Sequence, residues 1–131
     1  MIGLDTNVLV RYIMQDDAKQ SPKATRLVEA LTVDEPGFVS IVSVVELGWV
    51  LQASYGLTRD QLGQAVEALL RTKEISIERS DNVLKALRVF KATSADFADC
   101  LIERSACAAG CDRTVTFDIG AAKVAGMVLI R

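Results

Sequence analysis

The chain has 131 residues, with 15 Lys and Arg against 17 Asp and Glu, a net charge of −2, and no histidine. Without imidazole, Ser-His-Asp and Cys-His catalysis, His-ligated zinc and His general bases are excluded. The near-neutral balance also excludes a global electrostatic footprint for nucleic acid, though not local basic patches around an acidic site. Half of the residues are hydrophobic and only 5% aromatic, so one domain over 1–131 with an aliphatic core is expected. Cys100, Cys107 and Cys111 are an odd set with no secretory segment, pointing to a reduced, cytoplasmic setting. They read as small buried hydrophobes rather than a three-cysteine metal site. No apolar run approaches the roughly 18–20 residues that span a bilayer, so no membrane partner is expected.

In chain order, Ile2 to Leu4 reads as a buried strand ending in Asp5, and Asn7 to Met14 as a helix capped by Asp5 or Thr6. Ser21-Pro22 predicts an N-cap with proline at the first helical position, followed by the stripe Ala24, Leu27, Val28 and Leu31. Pro36-Gly37 breaks that helix before a strand over Phe38 to Ile41. Ser43 to Leu51 is apolar on nearly all sides and predicts a buried helix, in which Leu47, Trp49 and, beyond it, Tyr55 read as core rather than dimer surface. Thr58 and Gln61 fit a capping box for the next helix. Ile75 to Ile77 is an edge strand, and Ser80 caps a helix facing inward through Val83, Leu84, Leu87 and Phe90. A helix from Ser94 or Ala95 to Ala109, a strand over Thr114 to Phe117, a short helix headed by Asp118 and a strand over Val128 to Ile130 complete the chain. Strands alternating with helices predict an α/β fold with a parallel sheet.

Most of the acids sit in turns or first helical turns, where carboxylates suit the helix dipole. Asp5 and Asp118 both follow an apolar strand and precede a helix, so on parallel strands they point to one rim of the sheet, where α/β ligands bind. Asp5 also fits simple N-capping. Glu46 is the only charge between Phe38 and Thr58. It fits either a capping box with Ser43 or a buried carboxylate that needs a cation. Asp96 and Asp99 share a helix face at i, i+3. Asp96 lies in the first turn, whereas Asp99 is placed one turn further in, beyond capping range. Asn7 and Thr116 could add neutral oxygens to this set. Acids crowded without bases raise one another's pKa unless a cation neutralises them. Oxygen-only donors select Mg²⁺ or Mn²⁺ over Zn²⁺, the ions of in-line phosphoryl chemistry. Lys85, Arg88 and Lys91 recur on one helix as a solvated face, and Arg11 is the better candidate for substrate contact.

Leu4-Asp5-Thr6-Asn7-Val8-Leu9, Val45-Glu46-Leu47, Asp96 to Ile102 and Thr116-Phe117-Asp118 together resemble the four acidic motifs of PIN-domain proteins, closest to the toxins of VapBC-type (type II) toxin–antitoxin pairs. The resemblance implies a three-layer α/β/α fold with a central parallel sheet of four to five strands. It implies a metal-dependent endoribonuclease using Mg²⁺ or Mn²⁺, with Asp5, Glu46, Asp99 and Asp118 lining the metal site. A cognate antitoxin that blocks the site and a homodimer are implied as partners. The pair Ile119-Gly120 departs from the polar or basic residue that often follows the fourth acid in such toxins.

The competing readings are weaker. A haloacid-dehalogenase-like phosphatase needs an aspartate two residues after the first, where Asn7 stands. A phosphorelay receiver needs an aspartate ending a central strand, and Phe38 to Ile41 offers none. A catalytically silent scaffold that binds protein or RNA would have no reason to keep four mutually repelling acids.

Overall fold

The computed structural model describes residues 1–131 as an α/β structure of five short strands and seven helices. Its backbone gathers into two units, Met1–Ser80 and Asp81–Arg131. In the first, β1 (Ile2–Gly3), β2 (Gly37–Val39) and β3 (Ile75–Ile77) form a parallel sheet in the order β1-β2-β3, leaving β3 at an edge as expected. Parallel neighbours require long crossovers. Here these are α1 (Thr6–Met14) with α2 (Gln20–Glu29), then α3 (Ile41–Ala53) with α4 (Arg59–Arg71). Helix α1 packs on α2 and α3, while α4 packs on α3 and β3. Leu9, Val39, Leu47, Leu51 and Leu62 are closed off from solvent at the centre of this unit. Strand β2 opens on Gly37 because a Cβ there would approach Leu4 Cδ1 to 2.7 Å and Leu31 Cδ1 to 2.9 Å.

Local signals locate every element, but the caps of α2 and α3 differ from those expected. Helix α2 begins at Gln20, one residue ahead of Ser21-Pro22. Asp17 Oδ1 accepts from the amides of Lys19 and Gln20, so an acid upstream does the capping, and Ser21 Oγ accepts from the amide of Asp17 instead. Helix α3 begins at Ile41 rather than Ser43, because Ser40 Oγ accepts from the Ser43 amide and Glu78, beyond β3, accepts from the Ile41 amide at 2.9 Å. Ile41 therefore belongs to the helix, not to β2. The Thr58–Gln61 capping box on α4 forms with both of its arms.

In the second unit, α5 (Ser80–Ala92) and α6 (Phe97–Ala108) meet through an edge-to-face pair of Phe90 and Phe97, centroids 5.6 Å apart. Strands β4 (Val115–Thr116) and β5 (Val128–Leu129) pair in parallel, and α7 (Ile119–Val124) packs on both. Gly126, at φ 79°, makes the left-handed turn out of α7 that a side chain would resist. Every hydrogen-bonded strand pair is parallel as expected, and the pairs form a three-stranded sheet in the first unit and a two-stranded sheet in the second.

Burial corrects several expectations. Ile2 in β1 and Leu84 on α5 are exposed, where a buried strand and an inward-facing leucine were expected. Of the residues expected inside, only Leu4 in the first strand segment and Val83, Leu87 and Phe90 on α5 turn inward. Helix α3 is not buried all round: Val42 is 72% and Trp49 69% exposed, and Glu46 is exposed with them, while Leu47 is core. An apolar helix needs only one stripe inside, and here Val44, Leu47, Gly48 and Leu51 supply it. Of the cysteines only Cys100 is buried; Cys107 and Cys111 are exposed on the last turn of α6 and beyond it, and none forms a disulfide. No helix is long and apolar enough to cross a membrane.

Candidate functional site

Asp5 is held where β1 hands over to α1. It is the N-cap residue, extended at φ −73° and ψ 156°, and its carboxylate accepts from the Thr6 amide at 2.9 Å. That bond goes to the first helical residue rather than to the second or third, so the carboxylate is not tucked into the usual cap. Asp5 stays exposed. Glu46 lies in the second turn of α3. Because Ser40 is the N-cap, the third helical position is Ser43, and the capping-box account of Glu46 fails. Asp5, Asn7, Arg11, Glu46 and Tyr55 all line one cavity of about 330 Å³. The first unit therefore brings together two of the predicted acids, the predicted amide and the predicted cation.

Arg11 is not a free cation. It forms a 3.1 Å salt bridge with Asp16, and its Nε and Nη1 donate to Gln20, Asp16 and Tyr55. The Asp16 carboxyl is held below its ordinary range by the Tyr55 hydroxyl first, with help from Arg11. Sequence reasoning missed Asp16 and Tyr55, since nothing local marks a tyrosine after α3 as the partner of an acid after α1.

In the second unit, Asp96 is the N-cap of α6, and its carboxylate accepts from the Asp99 amide at 3.3 Å. The helix starts at Phe97, so Asp99 lies in the first turn, not beyond capping range as its sequence position suggested. Asp99 is nonetheless pushed above the ordinary carboxyl range, first by burial and then by the charges of Asp96 and Asp118. The dipole of a helix start favours an anion, and here desolvation and like charge outweigh it. Asp118 caps α7 by accepting from the Ala121 amide at 3.2 Å, and the Thr116 hydroxyl accepts from the Asp118 amide at 3.0 Å. A Cβ on Gly120 would come within 3.2 Å of Asp118 Oδ1, so the glycine after Ile119 keeps that carboxylate uncrowded.

None of Asp5, Glu46, Asp99 and Asp118 is paired with a base. Donor chemistry fits a hard divalent ion: carboxylate, amide and hydroxyl oxygens without imidazole. In neither unit do three acidic or cysteine side chains gather closely enough to cage an ion unaided. Lys85, Arg88 and Lys91 are all exposed along α5.

With this geometry established, two comparisons bear on it. The PIN domain family matches residues 2–127. The chain is also similar to a VapC ribonuclease of Aquifex aeolicus (strain VF5), with 25% identity over 114 residues, covering 87% of this chain and 84% of that protein.

Proposed function

This chain belongs to the PIN domain family, and from that premise we propose that it is a metal-dependent endoribonuclease, the toxin of a VapBC-type toxin–antitoxin pair. The observation that carries the proposal is the set of base-free carboxylates on each unit: Asp5 and Glu46 lining one cavity, and Asp99 partly buried beside the charges of Asp96 and Asp118. The likeness to a VapC ribonuclease across most of both chains supports the choice of RNA as substrate.

Asp5, Glu46, Asp99 and Asp118 are the proposed ligands of Mg²⁺ or Mn²⁺, whose double charge would offset the burial and the like charges that raise Asp99. When bound, such an ion supplies Lewis-acid activation of a phosphodiester. The chain's own residues do the rest. Asp96 and Thr116 fix the amides at Asp99 and Asp118 and so hold these carboxylates in place. Asn7 offers an amide to a phosphoryl oxygen or a water in the cavity it shares with Asp5. Arg11 brings positive charge to the same cavity. A cognate antitoxin and a second copy of the chain are the proposed protein partners, with Trp49 and Val42 on α3 giving an exposed apolar surface. Cys100, Cys107 and Cys111 form no disulfide, which suits a reducing cytoplasm.

The test is cleavage of a single-stranded RNA in Mg²⁺ or Mn²⁺ beside Asp5→Ala and Asp99→Ala. Loss of roughly 100-fold or more in each variant, and in EDTA, is expected for a charge-stabilised reaction. Activity that survives both substitutions or the chelator overturns the proposal, and a silent scaffold would show no cleavage from the start.

A further inference from the structure

Arg11 is built into its surroundings more firmly than an exposed substrate contact requires. Its Nε donates to Gln20 Oε1 at 2.8 Å, and its Nη1 donates to both Asp16 oxygens at 3.1 Å and to the Tyr55 hydroxyl at 3.0 Å. The Tyr55 hydroxyl in turn donates to Asp16 Oδ2 at 2.7 Å. A guanidinium carries five N–H donors in one plane. Those on Nε and Nη1 are engaged, which leaves both donors of Nη2 open. Arg11 lines the cavity of Asp5, Asn7 and Glu46, and also a neighbouring cavity of about 340 Å³ that includes Asn7 and Lys23.

We propose that Asp16, Tyr55 and Gln20 are positioning residues that hold the Arg11 guanidinium as a preset anchor for a phosphate of single-stranded RNA entering the acid cavity. The proposal rests on the ribonuclease reading for its substrate. A free arginine loses much side-chain freedom when it grips an anion. An arginine already held in three places has lost that freedom on folding, so its open edge meets phosphate at a smaller entropic penalty. The Asp16 carboxyl, kept low by Tyr55 and then by Arg11, stays ionised at neutral pH and preserves the arrangement. Tyr55 is the part of the device that can be removed most gently, because its ring stays when its hydroxyl goes.

The competing account is a latch that only ties α1 to Asp16, to the start of α2 at Gln20 and to Tyr55 after α3. Full-length wild type, Tyr55→Phe, Arg11→Lys and Arg11→Gln distinguish the two. Binding of a fluorescein-labelled RNA oligonucleotide is measured by anisotropy in EDTA, where no cleavage occurs, and steady-state cleavage is measured in Mn²⁺. Tyr55→Phe is expected to weaken binding and raise KM about 3- to 10-fold with kcat within about twofold, a loss the size of one charged hydrogen-bond arrangement. Arg11→Gln is expected to lower the slope of log affinity against log salt by about 0.7, the value for one phosphate contact on a single strand. Arg11→Lys retains that slope but weakens binding as Tyr55→Phe does, because it keeps the charge and loses the fork. Unchanged RNA affinity and KM in Tyr55→Phe and Arg11→Gln, with a lowered urea midpoint, overturn the anchor in favour of the latch. If wild type binds RNA through Arg11 yet cuts none in Mn²⁺, the ribonuclease reading falls and the anchor stands. If wild type neither binds nor cuts, both fall.

Discussion

Replacing Glu46 by Gln and Ser40 by Ala separates ligand from cap on a single helix. In the structure Ser40 Oγ accepts from the Ser43 amide at 3.1 Å, while Glu46 is exposed and caps nothing. Ser40→Ala removes a working N-cap, which costs about 1 kcal/mol. The Glu78 carboxylate still accepts from the Ile41 amide, so the helix start is weakened rather than lost. With an unfolding entropy of about 2.1 cal/mol/K per residue over this chain's length, 1 kcal/mol corresponds to a fall of about 4 °C in Tm. Glu46→Gln removes a charge from an exposed position and should stay within about 0.5 kcal/mol of wild type. Metal affinity should divide the other way, with Mn²⁺ binding weakened in Glu46→Gln and unchanged in Ser40→Ala. Urea denaturation in EDTA and calorimetric Mn²⁺ titration read both quantities on the same proteins. A loss of 1 kcal/mol or more in metal-free Glu46→Gln, with Mn²⁺ binding intact, would refute the reasoning and return Glu46 to a structural role.

Other substitutions probe the second unit, the sheet and the acid range. Asp99 has a raised carboxyl pKa in the folded chain, so its contribution to stability is fully present below the ordinary carboxyl pKa and is lost as pH rises through the raised value. Metal-free protein should therefore lose stability across that window, Asp99→Asn should flatten the loss, and a urea-midpoint series in EDTA reads it. Asp16 titrates oppositely: its lowered pKa gives stability that is present above the ordinary value and lost as pH falls through the lowered one, and Asp16→Asn should flatten the acid limb of the same series. Gly37→Ala should cost about 1–3 kcal/mol in urea denaturation, since the new methyl must displace Leu4 and Leu31, both of which are buried. A stability equal to wild type would mean that the strand shifts freely there. Gly120→Ala should leave stability nearly unchanged while weakening Mn²⁺ binding, because its Cβ crowds Asp118 Oδ1.

Much of this protein is written in short-range spacing. The Thr58–Gln61 capping box, the order of strands and helices, and the placement of Asp5 and Asp118 at starts of helices depend on residues within one or two turns of each other. Such relations survive in a linear reading because the helix and strand periods alone create them. The family resemblance was legible for the same reason: each acidic motif is a short run, and their order spans the chain. Helix ends proved less legible where two cap signals compete within a few residues, as Asp17 and Ser21 do before α2, and Ser40 and Ser43 do before α3.

Tertiary structure decided which side chains have partners and which face water. Glu78 caps α3 from 37 residues away, and Tyr55 reaches Arg11 from 44, distances at which local pattern holds no information. Trp49 and Glu46 share a helix with Leu47, yet only Leu47 is buried, because neighbouring elements cover one stripe of α3 and not the other. Asp99 sits at a helix start that favours its ionisation, and its raised pKa comes from burial and from acids that the fold brings up beside it. The sequence by itself determined the acids and the elements that bear them. Their solvation, their neighbours and the grip on Arg11 depend on contacts across many residues, which exist only once the chain has folded.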